Sequence, residues 1–317
     1  MKYRSVKILL VLFCFWGSIK VKALTYLFSH GFADTGKQVR RYMKEYETRR
    51  GKIKTNAFYI IDGLIKTFNY PDAICKPFSN IFRTSLGQEN ELQALKQAFC
   101  HIQDDEGVVL VGVSRGASAA AIFMGACRPT NIKAVVLISP FAHVLDVFKT
   151  NFFYRLFMKI SNYSQNGKHP IDWLCRMDKN IPIIFVCAKT DKTVPCESTI
   201  RLYKKLVLSG YTNAYLLCLN VGKHAKLLKS KEAEKFQNVI HAFYKKYGLP
   251  HKQEFAELGQ DFLARCKWCA KDGHIYLERF EKESLQEDQA RIFADPLYLA
   301  ILIKATLRQL ACKIHGN

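Results

Sequence analysis

The chain has 317 residues, 49% of them hydrophobic, and a formal net charge of +21. That length and apolar share support one large buried core with a small appendage, and they exclude a disordered chain. Its eleven cysteines are scattered along the sequence, which excludes a small disulfide-held scaffold.

Residues 1–23 read as a leader rather than as part of the fold. Lys2, Arg4 and Lys7 precede an uncharged stretch from Ile8 to Ser18, shorter than the roughly 20 apolar residues that span a bilayer. Val21 and Ala23 satisfy the small-residue rule for cleavage. The expectation is a signal peptide removed after Ala23 and an exported protein, periplasmic or secreted. An uncleaved membrane anchor is the alternative.

From Leu24 onward, short apolar runs alternate with longer amphipathic ones. This is the pattern of an α/β protein with a mostly parallel sheet and helices on both faces. Strands are expected at 24–29, 56–61, 107–113, 134–138, 183–188 and 214–219, and helices at 37–49, 89–103, 115–127, 197–208 and 228–247. The stretch "KQVRRYMKEYETRRGKIK", residues 37–54, holds eight basic and two acidic side chains. It reads as a solvated helical face, with attraction to an anionic membrane surface or polymer as the alternative. No nucleic-acid motif accompanies it, so no nucleic-acid partner is expected.

Two stretches interrupt the alternation. Residues 62–86 read as a long irregular connection. Residues 141–180 hold Phe148, Phe152, Phe153, Tyr154, Phe157, Tyr163 and Trp173, more aromatic surface than a crossover needs. They are expected to form a cap, the aromatics serving either as a lid over an apolar acyl or aryl group or as the core beneath the cap. After residue 250 the charge balances, with ten basic and ten acidic side chains in 251–317, and the pattern turns helical. Lys304 and Arg308 break the apolar run 297–312, which favours a packed amphipathic helix over a membrane span. The expected organisation is thus a leader at 1–23, a catalytic-type domain at 24–250 with the cap at 141–180, and a helical extension at 251–317.

Cys187 and Cys218 fall inside apolar strand runs and read as buried thiols. Cys266, Cys269, Cys312 and His315 have a spacing that zinc would accept. Free thiols or one local disulfide are the preferred reading there.

The sharpest signal is "VVLVGVSRGASAA", residues 108–120. A serine at a tight strand-to-helix turn has its hydroxyl lifted to the carboxyl edge of the sheet, and Gly112 and Gly116 let the helix pass close to the strand. Such an alcohol needs a base and a carboxylate to orient it, which follow here in the order serine, aspartate, histidine. Asp191 in "AKTDKTVP" lies just beyond the expected strand 183–188, and His224 in "NVGKHAKLL" just beyond 214–219. Carboxyl ends of strands are where open α/β sheets build their sites. "SHGFADTG", residues 29–36, ends the first strand with His30-Gly31, so the amides of Phe32 and Arg115 are the expected oxyanion donors. His30 reads as structural. This chemistry calls for neither metal nor cofactor.

Through His30-Gly31, Gly112-Val113-Ser114-Arg115-Gly116, Asp191 with Val194-Pro195, and His224, the chain resembles the α/β-hydrolase superfamily over residues 24–248. "HGFADTG" and "TDKTVP" look like the carboxylesterase and acyl-protein thioesterase branch. The Asp-x-x-Val-Pro pattern recurs in dienelactone-hydrolase-like and prolyl-oligopeptidase-like members. The resemblance implies eight strands with the nucleophile after the fifth, so this chain is expected to lack the first ones. It also implies acyl transfer on a small-molecule or lipid-like ester or thioester. Two alternatives stand beside it: a non-catalytic binding or surface protein, and a serine peptidase of the prolyl-oligopeptidase kind. The propeller usual in the latter is not expected ahead of Leu24. Neither the acyl chain nor the oligomeric state has a signature in the sequence.

Overall fold

Apolar runs without a polar face need cover on both sides, and a parallel sheet between helices supplies it. The computed structural model describes residues 24–31, 34, 36–42, 45–47, 53–55, 61, 64–70, 89–102, 107–148 and 169–267. The strands are β1 (Leu24–Ser29), β2 (Glu45–Glu47), β3 (Ile53–Thr55), β4 (Leu64–Thr67), β5 (Gly107–Val113), β6 (Ile132–Ile138), β7 (Ile183–Ala188) and β8 (Ala214–Leu219). Six of them form one sheet in the order β4-β1-β5-β6-β7-β8, with every pairing parallel. β2 and β3 form a separate antiparallel pair. The helices are α1 (Glu89–Cys100), α2 (Arg115–Cys127), α3 (Val144–Phe148), α4 (Pro170–Trp173), α5 (Cys196–Leu208), α6 (Ala233–Lys246) and α7 (Gln253–Arg265).

All residues of β5 and β7 are buried, which explains runs such as "GVVLVGV". α2 is buried from Arg115 to Gly125. Its small residues let neighbours close in: a Cβ on Gly125 would lie 1.8 Å from the Trp173 carbonyl oxygen.

Three expectations shift. The helix expected at 37–49 is a 3-10 turn, Gly36–Arg41, followed by β2. Gly36, Gln38, Val39 and Tyr42 are buried, and Lys37, Arg40 and Arg41 face solvent. Farther on, Tyr46 alternates with Glu45 and Glu47, which is a strand period. The strand expected at 56–61 lies outside the described residues except for the isolated bridge residue Ile61, and β4 falls where an irregular connection was expected. Among the described residues β4 stands at the edge of the sheet, with Ile65 and Lys66 half-buried and Thr67 exposed, so no apolar run marks it in the sequence. The irregular connection expected from 62 therefore begins with a strand.

The third shift concerns the C-terminal side. The chain divides into two units, Met1–Lys267 and Trp268–Asn317. α7, expected to open an extension at 251, lies in the first unit. Ala256, Gly259 and Leu263 form its buried stripe, a helical spacing that lays the helix on α6. The helices cross closely at Gly259, where a Cβ would lie 2.0 Å from the Asn238 carbonyl oxygen. Gly259→Ala is therefore expected to lower stability by about 1–3 kcal/mol through overpacking, read as a shift of the urea unfolding midpoint.

The leader, residues 149–168 of the expected cap, and Cys269, Cys312 and His315 lie outside the described residues. Among the described residues no helix is long and apolar enough to cross a membrane.

Candidate active site

β5 ends at Val113 and α2 starts at Arg115, which leaves one residue to reverse the chain. Ser114 does so at φ 54° and ψ −120°, a conformation that side chains rarely adopt. Two hydrogen bonds hold it there: Ser114 N–H donates to the Ile138 carbonyl at 2.7 Å, and Ser118 N–H donates to the Ser114 carbonyl at 3.0 Å. Both motif glycines are required by space. A Cβ on Gly112 would lie 2.5 Å from Ala117 Cα, and one on Gly116 would lie 2.1 Å from the Ser29 carbonyl oxygen.

The structure brings Ser114, His224 and Asp191 together from the ends of three strands. Asp191 Oδ2 lies 2.8 Å from His224 Nδ1, and His224 Nε2 lies 2.8 Å from Ser114 Oγ. An ionised carboxylate only accepts, so Nδ1–H donates to Asp191 and Nε2 is left to accept the serine hydroxyl proton. The other carboxylate oxygen accepts from Thr193 N–H at 2.9 Å and Val194 N–H at 3.1 Å. The Asp191 side chain is 1% exposed against 19% for His224, so the carboxylate is fixed behind the ring and the ring faces the open side.

The loops carrying these two groups are joined by Thr190. Its hydroxyl donates to the Gly222 carbonyl at 3.1 Å and accepts from Gly222 N–H at 2.8 Å. A similar lacing fixes the segment after β6. Thr199 Oγ1 donates to the Pro140 carbonyl at 2.7 Å, and Phe141 N–H donates to Ser118 Oγ at 3.0 Å. Ser198 Oγ accepts from Ala142 N–H at 2.7 Å and donates to Asp146, which also pairs with Arg201.

The loop after β1 runs beside the elbow: a Cβ on Gly31 would lie 3.5 Å from the Val113 carbonyl oxygen. Gly31 N–H donates to Gln38 Oε1 at 2.8 Å. His30 is fully buried and structural, as expected. Tyr70 N–H donates to its Nε2 at 3.2 Å, so Nδ1 carries the proton that goes to the Gly31 carbonyl at 2.8 Å. Phe32 itself lies outside the described residues. Arg115 supplies a first-turn amide of α2, where the helix dipole favours negative charge. Its side chain turns into the protein, with Nε 2.5 Å from Glu91 Oε1 and the guanidinium 4.5 Å from the centre of the Tyr70 ring.

Sequence reasoning missed Gln38, Tyr70, Glu91 and Thr190, which support the site from other parts of the chain.

Against known protein families, residues 88–249 match the prolyl oligopeptidase family, a span of just over half the chain that includes all three of Ser114, Asp191 and His224. The chain belongs to that family. It is an α/β-hydrolase and a hydrolytic enzyme. No curated protein matches the chain. Among solved structures it is similar to the acylaminoacyl peptidase of Pyrococcus horikoshii, with 13% identity, a TM-score of 0.52 and coverage of 73% of this chain and 38% of that one. A metagenome-derived lipolytic enzyme gives 14% identity and a TM-score of 0.50 over 70% of this chain and 94% of the other. An esterase of Pyrococcus furiosus gives 15% and 0.49, over 70% and 82%. At such identities the likeness is one of fold.

Proposed function

We propose that this prolyl oligopeptidase family member is a serine hydrolase that cleaves a carboxylic ester or thioester through an acyl-enzyme on Ser114. The observation that carries the reading is the unbroken hydrogen-bond line from Ser114 through His224 to Asp191. His224 takes the Ser114 proton as the oxygen attacks the carbonyl carbon, and Asp191 stabilises the imidazolium. The amides of Arg115 and Phe32 receive the oxyanion. His224 then gives its proton to the departing alkoxide or thiolate, and water repeats the cycle on the acyl-enzyme. No step calls for a metal or cofactor.

A second reading keeps the same residues and changes the bond. The family match favours an acyl-amino or peptide bond, whose amine leaving group depends more strongly on the proton from His224. A panel of p-nitrophenyl esters, acyl thioesters and acylaminoacyl anilides separates the two by relative kcat/KM.

The first test is labelling with a fluorophosphonate probe and mass mapping of the adduct. The expected result is an adduct on Ser114 that is absent from Ser114→Ala and His224→Ala. A folded wild-type protein that takes no label would overturn the reading in favour of a non-catalytic binding protein. The proposal includes export, supported by the basic residues and uncharged stretch of 1–23. A mature N-terminus at Leu24 is the expected outcome of terminal sequencing.

A further inference from the structure

Cys187 and Cys218 stand in register on the neighbouring strands β7 and β8. Cys196 is the first residue of α5. The three Sγ atoms all lie within 4.8 Å of one another, with Cys187 and Cys196 buried and Cys218 half-buried. We propose that these three cysteines hold a soft, thiophilic metal ion, zinc(II) or copper(I), in a structural site behind the loops that carry Asp191 and His224.

The spacing suits an ion. Metal–sulfur bonds of about 2.3 Å put the sulfurs of a trigonal or tetrahedral site roughly 3.8–4.0 Å apart, which small side-chain rotations reach from here. Thiolate ligands select zinc and copper(I) over hard cations. The three thiols are not equivalent: hydrogen bonding to the other two favours the thiolate at Cys218, while Cys187 and Cys196 are held protonated until an ion replaces the proton. Cys196 stands at a helix N-terminus, but although its hydrogen bond with Cys187 favours the thiolate, the one with Cys218, burial and Glu197 push its thiol up to about 12, so the ion has to displace that proton. Lys189 and Lys235 bring positive charge within reach of Cys218. Glu197 Oε1 lies 3.6 Å from Cys196 Sγ, placed to become a fourth ligand. Zinc uses that fourth position, whereas copper(I) is satisfied by three sulfurs. Binding exchanges each S–H for an S–metal bond and releases up to three protons to solvent with no change of oxidation state.

The position gives the ion a task. Cys187 and Cys196 bracket the segment that holds Asp191, and Cys218 lies at the end of the strand that leads to His224. One ion therefore clamps the bases of both loops to the sheet. The proposal stands whether or not Ser114 is a nucleophile.

The full chain, purified under reducing conditions without chelator, is loaded with zinc(II) or, in a separate anaerobic arm, with copper(I). Bound metal is counted after gel filtration, and cobalt(II) serves as the spectroscopic probe. The expected result is one ion per chain, a sulfur-to-cobalt charge-transfer band, and shielding of Cys187, Cys196 and Cys218 from alkylation. Ion and band are lost in Cys196→Ser and Cys218→Ser and kept in Cys266→Ser. Circular dichroism of Cys218→Ser, whose side chain is only half-buried, separates loss of the ion from loss of fold. Glu197→Gln weakens zinc and leaves copper(I) unchanged. Three thiols that alkylate freely in the presence of metal, a disulfide joining two of them, or an ion that survives both serine variants would each overturn the proposal.

Discussion

Alanine at Ser114 is expected to lower kcat on the best substrate by on the order of 10⁴ to 10⁶, and alanine at His224 by a similar factor. The double variant should be no slower than the worse single one. The three side chains form one proton line, so once Ser114 or His224 is gone the bond at His224 Nε2 is gone and the remainder has no proton to move. Asp191→Asn is expected to cost about 10⁴, because an amide next to Nδ1 favours the wrong tautomer and leaves the imidazolium without its counter-charge. A residual rate from the oxyanion amides remains in all of these variants. Steady-state kinetics on the same purified preparations decide the matter. Losses that add in the double variant would mean that Ser114 and His224 do not work as a unit.

The second large effect is on stability. Glu91→Ala is expected to cost about 3–5 kcal/mol, because it removes a carboxylate that faces the charged, buried Arg115 guanidinium. The pair is 3% and 2% exposed, so water is poorly placed to compensate. Glu91→Gln keeps an acceptor for Arg115 and should cost less. Urea unfolding of both variants measures the difference, and an unchanged midpoint in Glu91→Ala would show that the pair is solvated. Arg115 is the first residue of α2, one step from Ser114, so the same variant should also lower activity at denaturant concentrations where it stays folded.

The parts of the fold that were legible in advance are those whose signal is local. β1, β5, β7 and β8 are buried or mostly buried strands, and their largely apolar runs announce them at their observed bounds. Ser114, Asp191 and His224 were legible because each follows such a strand, and because the glycines around Ser114 answer a steric demand from Ala117 and Ser29. β4 was not, since an edge strand tolerates Lys66 and Thr67, and β2 was hidden by a charge pattern that looks the same on a helix. The support of the site was beyond sequence reasoning for a different reason. Gln38, Glu91 and Thr190 act on partners 7, 24 and 32 residues away, and nothing in a linear pattern marks such a pair. The convergence of Cys196 on the two strand cysteines is of the same kind.

The short approach of α7 to α6 also matters at the margin of the sheet. A parallel sheet ends in two strands whose outer N–H and C=O groups invite a strand from another copy. At one margin β4 is four residues long and carries Lys66, a poor template. At the other, α7 delivers Cys266 to β8, where its carbonyl accepts the Leu216 N–H at 2.8 Å. A chain cut at residue 250 would keep every residue of the Ser114 site and lose that guard. It would be expected to assemble edge to edge while its chemistry stayed intact.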